Sequence, residues 1–194
     1  MVNYLEILGT ILGLLYLWFE YRASIWLWLA SIIMPAVYIF VYGEAGLYAD
    51  MGINVYYLVA SLYGWIAWMR KDSRGEPLPV SFTPRRMWKS LGAAAAVSFA
   101  AIVLVLVNFT DSTVPCADSF TTALSIVGLY MLAKKWAEQW LVWIAVDAVS
   151  SALYIYKGLY PTAGLYAVYT VVAVAGYFKW RSMALISRES ATEA

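Results

Sequence analysis

The chain has 194 residues, 63% hydrophobic and 13% charged, with a net charge of +1 and a mean hydropathy of +0.70. Soluble domains carry about 25% charged residues and a membrane span takes about 20 apolar ones, so several spans fit here and no sizeable soluble domain does. There is no histidine and a single Cys116, which excludes His-containing zinc sites, haem, Ser-His and Cys-His catalytic pairs, and an intrachain disulfide.

Apolar runs between charges and turn residues predict seven spans, an all-α membrane fold. The N-terminal stretch Met1 to Glu6 lacks a basic n-region, so the first run, Tyr4 to Phe19, is expected to be retained as a span. The second, Ser24 to Tyr42, contains Pro35, which should kink the helix and free the carbonyl of Ser31. The third runs from Ala49 to Met69. A stretch from Arg70 to Arg86 with Pro77, Pro79 and Pro84 reads as a linker. Its basic run is foremost a topology determinant, with contact to anionic lipid as a further use. The remaining spans are Trp88 to Phe109, Phe120 to Ala133, Gln139 to Tyr156 and Pro161 to Trp180. The first and fifth are short.

The connections alternate in charge. Twelve of the thirteen Lys and Arg residues fall in the first, third and fifth connections and the C-terminal segment, and only Lys157 falls on the other side. By the positive-inside rule the N-terminus lies outside and the C-terminus in the cytoplasm, as in a multi-pass inner-membrane protein.

Shifting the sequence by 112 positions aligns Leu8 to Trp68 with Phe120 to Trp180 without a gap. Trp28 meets Trp140, Tyr42 meets Tyr154, Gly52 meets Gly164, Tyr57 meets Tyr169, Gly64 meets Gly176 and Trp68 meets Trp180. Apolar composition alone rarely aligns several glycines and tryptophans, so the chain reads as a duplication. Each repeat has three spans, and a fourth between them lets both enter from the same face. The expected division is 1–70 as the first repeat, 71–111 as linker and connecting helix, 112–182 as the second repeat and 183–194 as a cytoplasmic tail. Parallel 3+1+3 repeats of this kind are the plan of the SWEET sugar transporters and place a binding site near the bilayer middle.

Asp147 stands near the middle of the sixth span, where a carboxylate costs roughly 2.5 to 3.5 kcal/mol and calls for a polar surrounding, a partner or a ligand. Spacings of three and four put Trp140, Trp143, Asp147, Ser150 or Ser151, and Tyr154 on one face. A second polar face on the third span holds Asp50, Asn54, Tyr57 and Ser61. The second span offers Trp28, Ser31, Pro35 and Tyr38, and the seventh Thr162, Tyr166 and Tyr169. Trp65, Trp68 and Trp180, at span ends, read as interfacial belt residues. Asp147 aligns with Pro35 and Asn54 with Tyr166, so the repeat is broken where its polar groups lie deepest. The candidate substrate site is therefore Asp147, Asn54, Tyr57, Ser61, Trp28, Tyr38, Trp143, Ser150, Tyr166 and Tyr169. An acid among aromatic faces suits a delocalised organic cation.

The stretches Leu47 to Asp50 (LYAD), Tyr63 to Trp68 (YGWIAW), Asp118 and Ser119, Leu124 to Ile126 (LSI), Lys135 to Trp143 (KWAEQWLVW) and Lys157 to Tyr160 (KGLY) together resemble the PnuC vitamin transporters. The resemblance covers nearly the whole chain apart from the linker and the tail. It implies facilitated diffusion of an unphosphorylated vitamin, with a cytoplasmic vitamin kinase trapping the product. Nicotinamide riboside transporters of that family tend to carry Gln where this chain has Asn54, Asn where it has Ser61, and Asn where it has Asp147. These departures point to the thiamine branch, PnuT, with nicotinamide riboside as the alternative. The expected partners are the vitamin and the lipid bilayer, with a homo-oligomer left open. No nucleic acid, metal or cofactor is expected. A membrane enzyme lacks an acid-base or metal constellation here, and a retinal receptor lacks a lysine within its last span, since Lys179 is at its end and Lys157 outside it.

Overall fold

Lipid offers no hydrogen-bond partner for backbone N–H and C=O groups, so apolar runs of this length satisfy them internally as helices. The computed structural model describes residues 4–44, 48–71, 75, 77–110 and 112–193. It contains the helices α1 (Tyr4–Tyr21), α2 (Trp26–Glu44), α3 (Tyr48–Met69), α4 (Met87–Phe109), α5 (Pro115–Ala133), α6 (Gln139–Tyr156) and α7 (Tyr160–Glu193). Two isolated bridges, Lys71 to Pro77 and Ser81 to Trp136, are the β-type pairings among the described residues. Helices α4, α5, α6 and the Tyr160–Ser190 part of α7 are each long and apolar enough to cross a membrane.

Two helices run five or more residues beyond the apolar runs that announced them. Helix α5 starts at Pro115, a residue whose fixed φ and missing N–H suit the first helical position. Asp118 then lies in the first turn, where a carboxylate meets the positive end of the helix dipole and accepts a bond from the Ser112 hydroxyl at 3.0 Å. Helix α7 continues past Trp180 to Glu193, through the segment read as a tail. After Gly176 that stretch contains no Gly or Pro to stop it.

By its contacts the chain divides into two compact units, residues 1–79 with 133–135, and residues 80–132 with 136–194. In the first, α1 packs on α2 and α2 on α3. Trp28 is fully buried, seated on Gly64 and meeting Trp68 edge-on at 5.4 Å. Pro35 withholds the N–H that would bond the Ser31 carbonyl, and Ser61 supplies a replacement. Its hydroxyl donates to Ser31 O at 3.1 Å and to Tyr57 O at 2.7 Å, joining α3 to α2 at the expected gap.

In the second unit, α6 and α7 pack along each other. Trp140, fully buried, sits on Gly176 and meets Trp180 edge-on at 5.9 Å, repeating the arrangement 112 residues earlier. Between helices in lipid the hydrophobic effect adds little, and association rests on close packing, which small residues permit. Leu91, Val127, Met131 and Trp136 form a cluster joined by Met87, Ala95 and Val142. Much of α4 is exposed, including Val97, Leu104, Val107 and Phe109, as suits a lipid-facing helix.

The repeat extends to the turns. Ala23 and Lys135, 112 positions apart, both adopt the left-handed conformation, with φ of 51° and 53°. Each is followed by an N–H that reaches back five residues, Ser24 to Phe19 O at 2.9 Å and Trp136 to Met131 O at 3.1 Å. This is the Schellman ending of a helix, made twice without glycine at the strained position. Helix α6 ends the same way at Gly158, φ 74°, with Leu159 N donating to Tyr154 O at 2.8 Å.

The connection read as a plain linker is docked. The N–H and hydroxyl of Thr83 both donate to the Glu138 carboxylate at 2.8 Å, and Ala137 N donates to Ser81 O at 2.9 Å. Val80 and Thr83 are buried. In the first unit the Lys135 ammonium donates to Leu78 O at 2.9 Å and lies 4.3 Å from the Trp68 ring centre. Burial pushes that amine down to about 8.

Candidate substrate site

Helix α6 turns Gln139, Trp140, Val146, Asp147 and Ser150 inward. Trp140, Asp147 and Ser150, seven and then three residues apart, lie on the face that the spacing implied. Asp147 is 7% exposed, and among the described residues no Lys or Arg forms an ion pair with it. The ion pair in this unit, Lys157 with Asp118 at 3.5 Å, joins the end of α6 to the start of α5 and is part-exposed. What stands near the carboxylate is aromatic. Tyr166 and Tyr169 of α7 lie within its electrostatic reach.

Those two tyrosines belong to a chain of rings. Tyr154 and Tyr166 have centroids 5.1 Å apart, Tyr166 and Tyr169 5.5 Å, each pair tilted. Tyr154, on the same α6 face as Asp147, joins the candidate residues through this pairing with α7, which depends on how the two helices cross. Ser151, the alternative to Ser150 on that face, instead donates to Ala163 O of α7 at 2.9 Å and so fastens the helix pair. Ser150 is buried on the Asp147 side.

Trp143, one turn before Asp147, packs against Gly128 of α5, where an added β-carbon would lie 3.2 Å from the indole. Its indole N–H is shielded and has no acceptor among the described residues, which leaves a donor for a ligand. The buried N–H groups of Trp28 and Trp140 are also unmatched, but both rings are committed to packing on glycine. Trp28 is thus a packing residue by its surroundings, with no exposed edge.

The other candidates belong to the first unit. Ser61 is 2% exposed and its proton is engaged by helix carbonyls, so its hydroxyl can offer a ligand only lone pairs. Tyr57 is half-buried with its ring 5.8 Å from that of Tyr56. Asn54 is half-buried one turn away, and Tyr38 on α2 is exposed. The side chain of Asp50 lies outside the described residues. The structure therefore brings together Asp147, Trp143, Ser150, Tyr166 and Tyr169 in one unit, and Tyr57 and Ser61 in the other. A shielded carboxylate beside phenol rings has the chemistry to hold a cation, by charge and ring quadrupole.

Residues 3–182 match the family model described as nicotinamide mononucleotide transporter. The chain belongs to the PnuC family. It is 24% identical over 204 residues to the nicotinamide riboside transporter PnuC of Escherichia coli (strain K12), covering 92% of this chain and 85% of that one. It is 28% identical over 184 residues to the riboflavin/roseoflavin transporter RibM of Streptomyces davaonensis, covering 90% and 83%. A crystal structure of the vitamin B3 transporter PnuC shares its fold with a TM-score of 0.68 at 24% identity, over 90% of this chain and 79% of that chain. As a PnuC-family protein the chain is a multi-pass membrane vitamin transporter, not an enzyme.

Proposed function

We propose that this PnuC-family protein carries an unphosphorylated cationic B vitamin across the inner membrane by facilitated diffusion, thiamine before nicotinamide riboside. The observation that carries the reading is Asp147, a shielded carboxylate without a Lys or Arg partner among the described residues, beside Tyr166 and Tyr169. A thiazolium ring supplies the missing positive charge and an aminopyrimidine supplies N–H donors. The acid at 147, with Asn54 and Ser61, departs from the pattern of nicotinamide riboside transporters at three candidate positions.

Nicotinamide riboside, also a cation, is the second reading. It is favoured by the relative from Escherichia coli, a nicotinamide riboside transporter. In either case a cytoplasmic kinase is the metabolic trap, and the charge pattern places the C-terminus with it. Titration of the purified protein with thiamine, nicotinamide riboside and riboflavin, followed by tryptophan fluorescence, tests the proposal. Thiamine is expected to bind tightest and uncharged riboflavin weakest. Tighter binding of nicotinamide riboside than thiamine reverses the order of the two readings. Riboflavin binding above both removes the cationic site.

A further inference from the structure

The rings of Tyr154, Tyr166 and Tyr169 are ordered by depth as well as by contact. Helix α6 ends at Tyr156 and α7 starts at Tyr160, and the two pack along each other from that turn. Tyr154 is two residues from the end of α6, Tyr166 is six residues into α7, and Tyr169 is nine. At 1.5 Å per residue they lie about 3, 9 and 14 Å from the turn. Asp147, nine residues before the end of α6, lies at the depth of Tyr169. Successive ring centroids are 5.1 and 5.5 Å apart, so the rings descend without a gap from the turn towards the carboxylate. The charge alternation along the chain assigns that turn to the outer face.

Packing of the helix pair does not require this series. The positions 112 residues earlier are Tyr42, Asn54 and Tyr57, so in the first repeat the series is interrupted at its middle member. Helices α2 and α3 nonetheless pack with the same seating of tryptophan on glycine. The first repeat also has Pro35 in place of the acid. The unbroken rings and the carboxylate therefore occur together in one repeat and are both missing from the other.

We infer that Tyr154, Tyr166 and Tyr169 form a ladder of ring faces down which the cationic substrate steps from the outer end of α6 to Asp147, with Tyr154 as its entry. The inference rests on the reading of Asp147 as a cation site. Each ring face attracts a cation through its quadrupole. Several weak sites in series let a cation both enter and leave, where a single strong one would trap it. Tyr154 is seven residues from Asp147, about 10 Å along the helix, so it serves access and not the final seat of the ligand.

The test is stopped-flow tryptophan fluorescence on the full chain in detergent, with thiamine and nicotinamide riboside as probes. An access step lowers the barrier in both directions, so Tyr154→Leu should slow association and dissociation alike, about fivefold or more, with Kd held within about twofold. Tyr154→Phe, which keeps the ring, should restore most of the rate. Tyr156→Leu, a neighbour that is 73% exposed and outside the ladder, should behave as the parent does. Unchanged rates in Tyr154→Leu overturn the ladder, as does a Kd weakened by faster dissociation alone, which would make Tyr154 part of the seat. Equal slowing in Tyr154→Phe or in Tyr156→Leu overturns it too. A parent that binds neither cation overturns the reading of Asp147 and the ladder with it, whereas the preceding outcomes remove the ladder alone. Should Tyr154→Leu fail to fold, a pentafluorophenyl ring at Tyr154 keeps the shape and reverses the quadrupole. Association should then be several-fold slower than in Tyr154→Phe, and an equal rate overturns the ladder.

Discussion

The indole of Trp140 occupies the space that a side chain at position 176 would need: a β-carbon added to Gly176 would lie 2.6 Å from Cε2 of Trp140. Trp28 covers Gly64 in the same way. Gly176→Ala and Gly64→Ala should therefore each cost about 1 to 3 kcal/mol, the usual penalty of overpacking. Gly52 and Gly164 have nothing within 4 Å of an added β-carbon. Alanine there should be within about 1 kcal/mol of the parent, on the stabilising side, since it is the better helix former. Thermal unfolding in detergent checks all four, and a tolerated alanine at 176 would contradict the close seating.

Asp147→Asn keeps size and removes charge. With no Lys or Arg partner among the described residues to be orphaned, folding should survive, and a neutral amide is cheaper within the membrane. Binding of the cationic vitamin should weaken about tenfold or more, as for a lost hydrogen bond to a charged group. Titration of the variant with thiamine and nicotinamide riboside reads this directly. Unchanged affinity for both in a well-folded variant would make the acid structural.

Ser61 and Pro35 should be coupled energetically. Ser61→Ala removes the donor to Ser31 O and should cost about 0.5 to 1.5 kcal/mol. In a Pro35→Ala background the restored N–H at position 35 can take the Ser31 carbonyl, so the same change at Ser61 should cost less. A double-mutant cycle in thermal stability gives the coupling. Strict additivity would mean that the serine does not replace the missing helix bond.

Lys135 gives the stability a pH dependence of definite sign. Burial lowers its ammonium from the ordinary 10.5 to about 8 in the folded protein. Between those values the unfolded chain holds the proton and the folded one does not, so this group makes stability rise with pH from about 8 towards 10.5. Below that window both states are protonated and its contribution is constant. The thermal midpoint of the parent minus that of Lys135→Met should be flat below pH 8 and increase above it. A difference that falls over that range contradicts the assignment.

Seven helices were legible in the chain because apolar runs of span length have one good way to satisfy their backbone in lipid. The Ser31 gap was legible because Pro35 removes a known bond. The face of Asp147, Ser150 and Tyr154 followed from helical spacing alone. Placement of Trp28 did not: the same spacing that put it on a polar face could not say that Gly64 would receive its ring. Nor did the linker reveal its docking, since Thr83 and Glu138 meet across 55 positions. Lys135 in a left-handed turn carries no composition signal, as glycine would. Periodicity, charge alternation and the 112-residue repeat are local or one-dimensional quantities, written in the order of residues. Which ring covers which glycine, and which tyrosines stand around a carboxylate, depends on how helices distant in sequence cross, and only packing in three dimensions decides that.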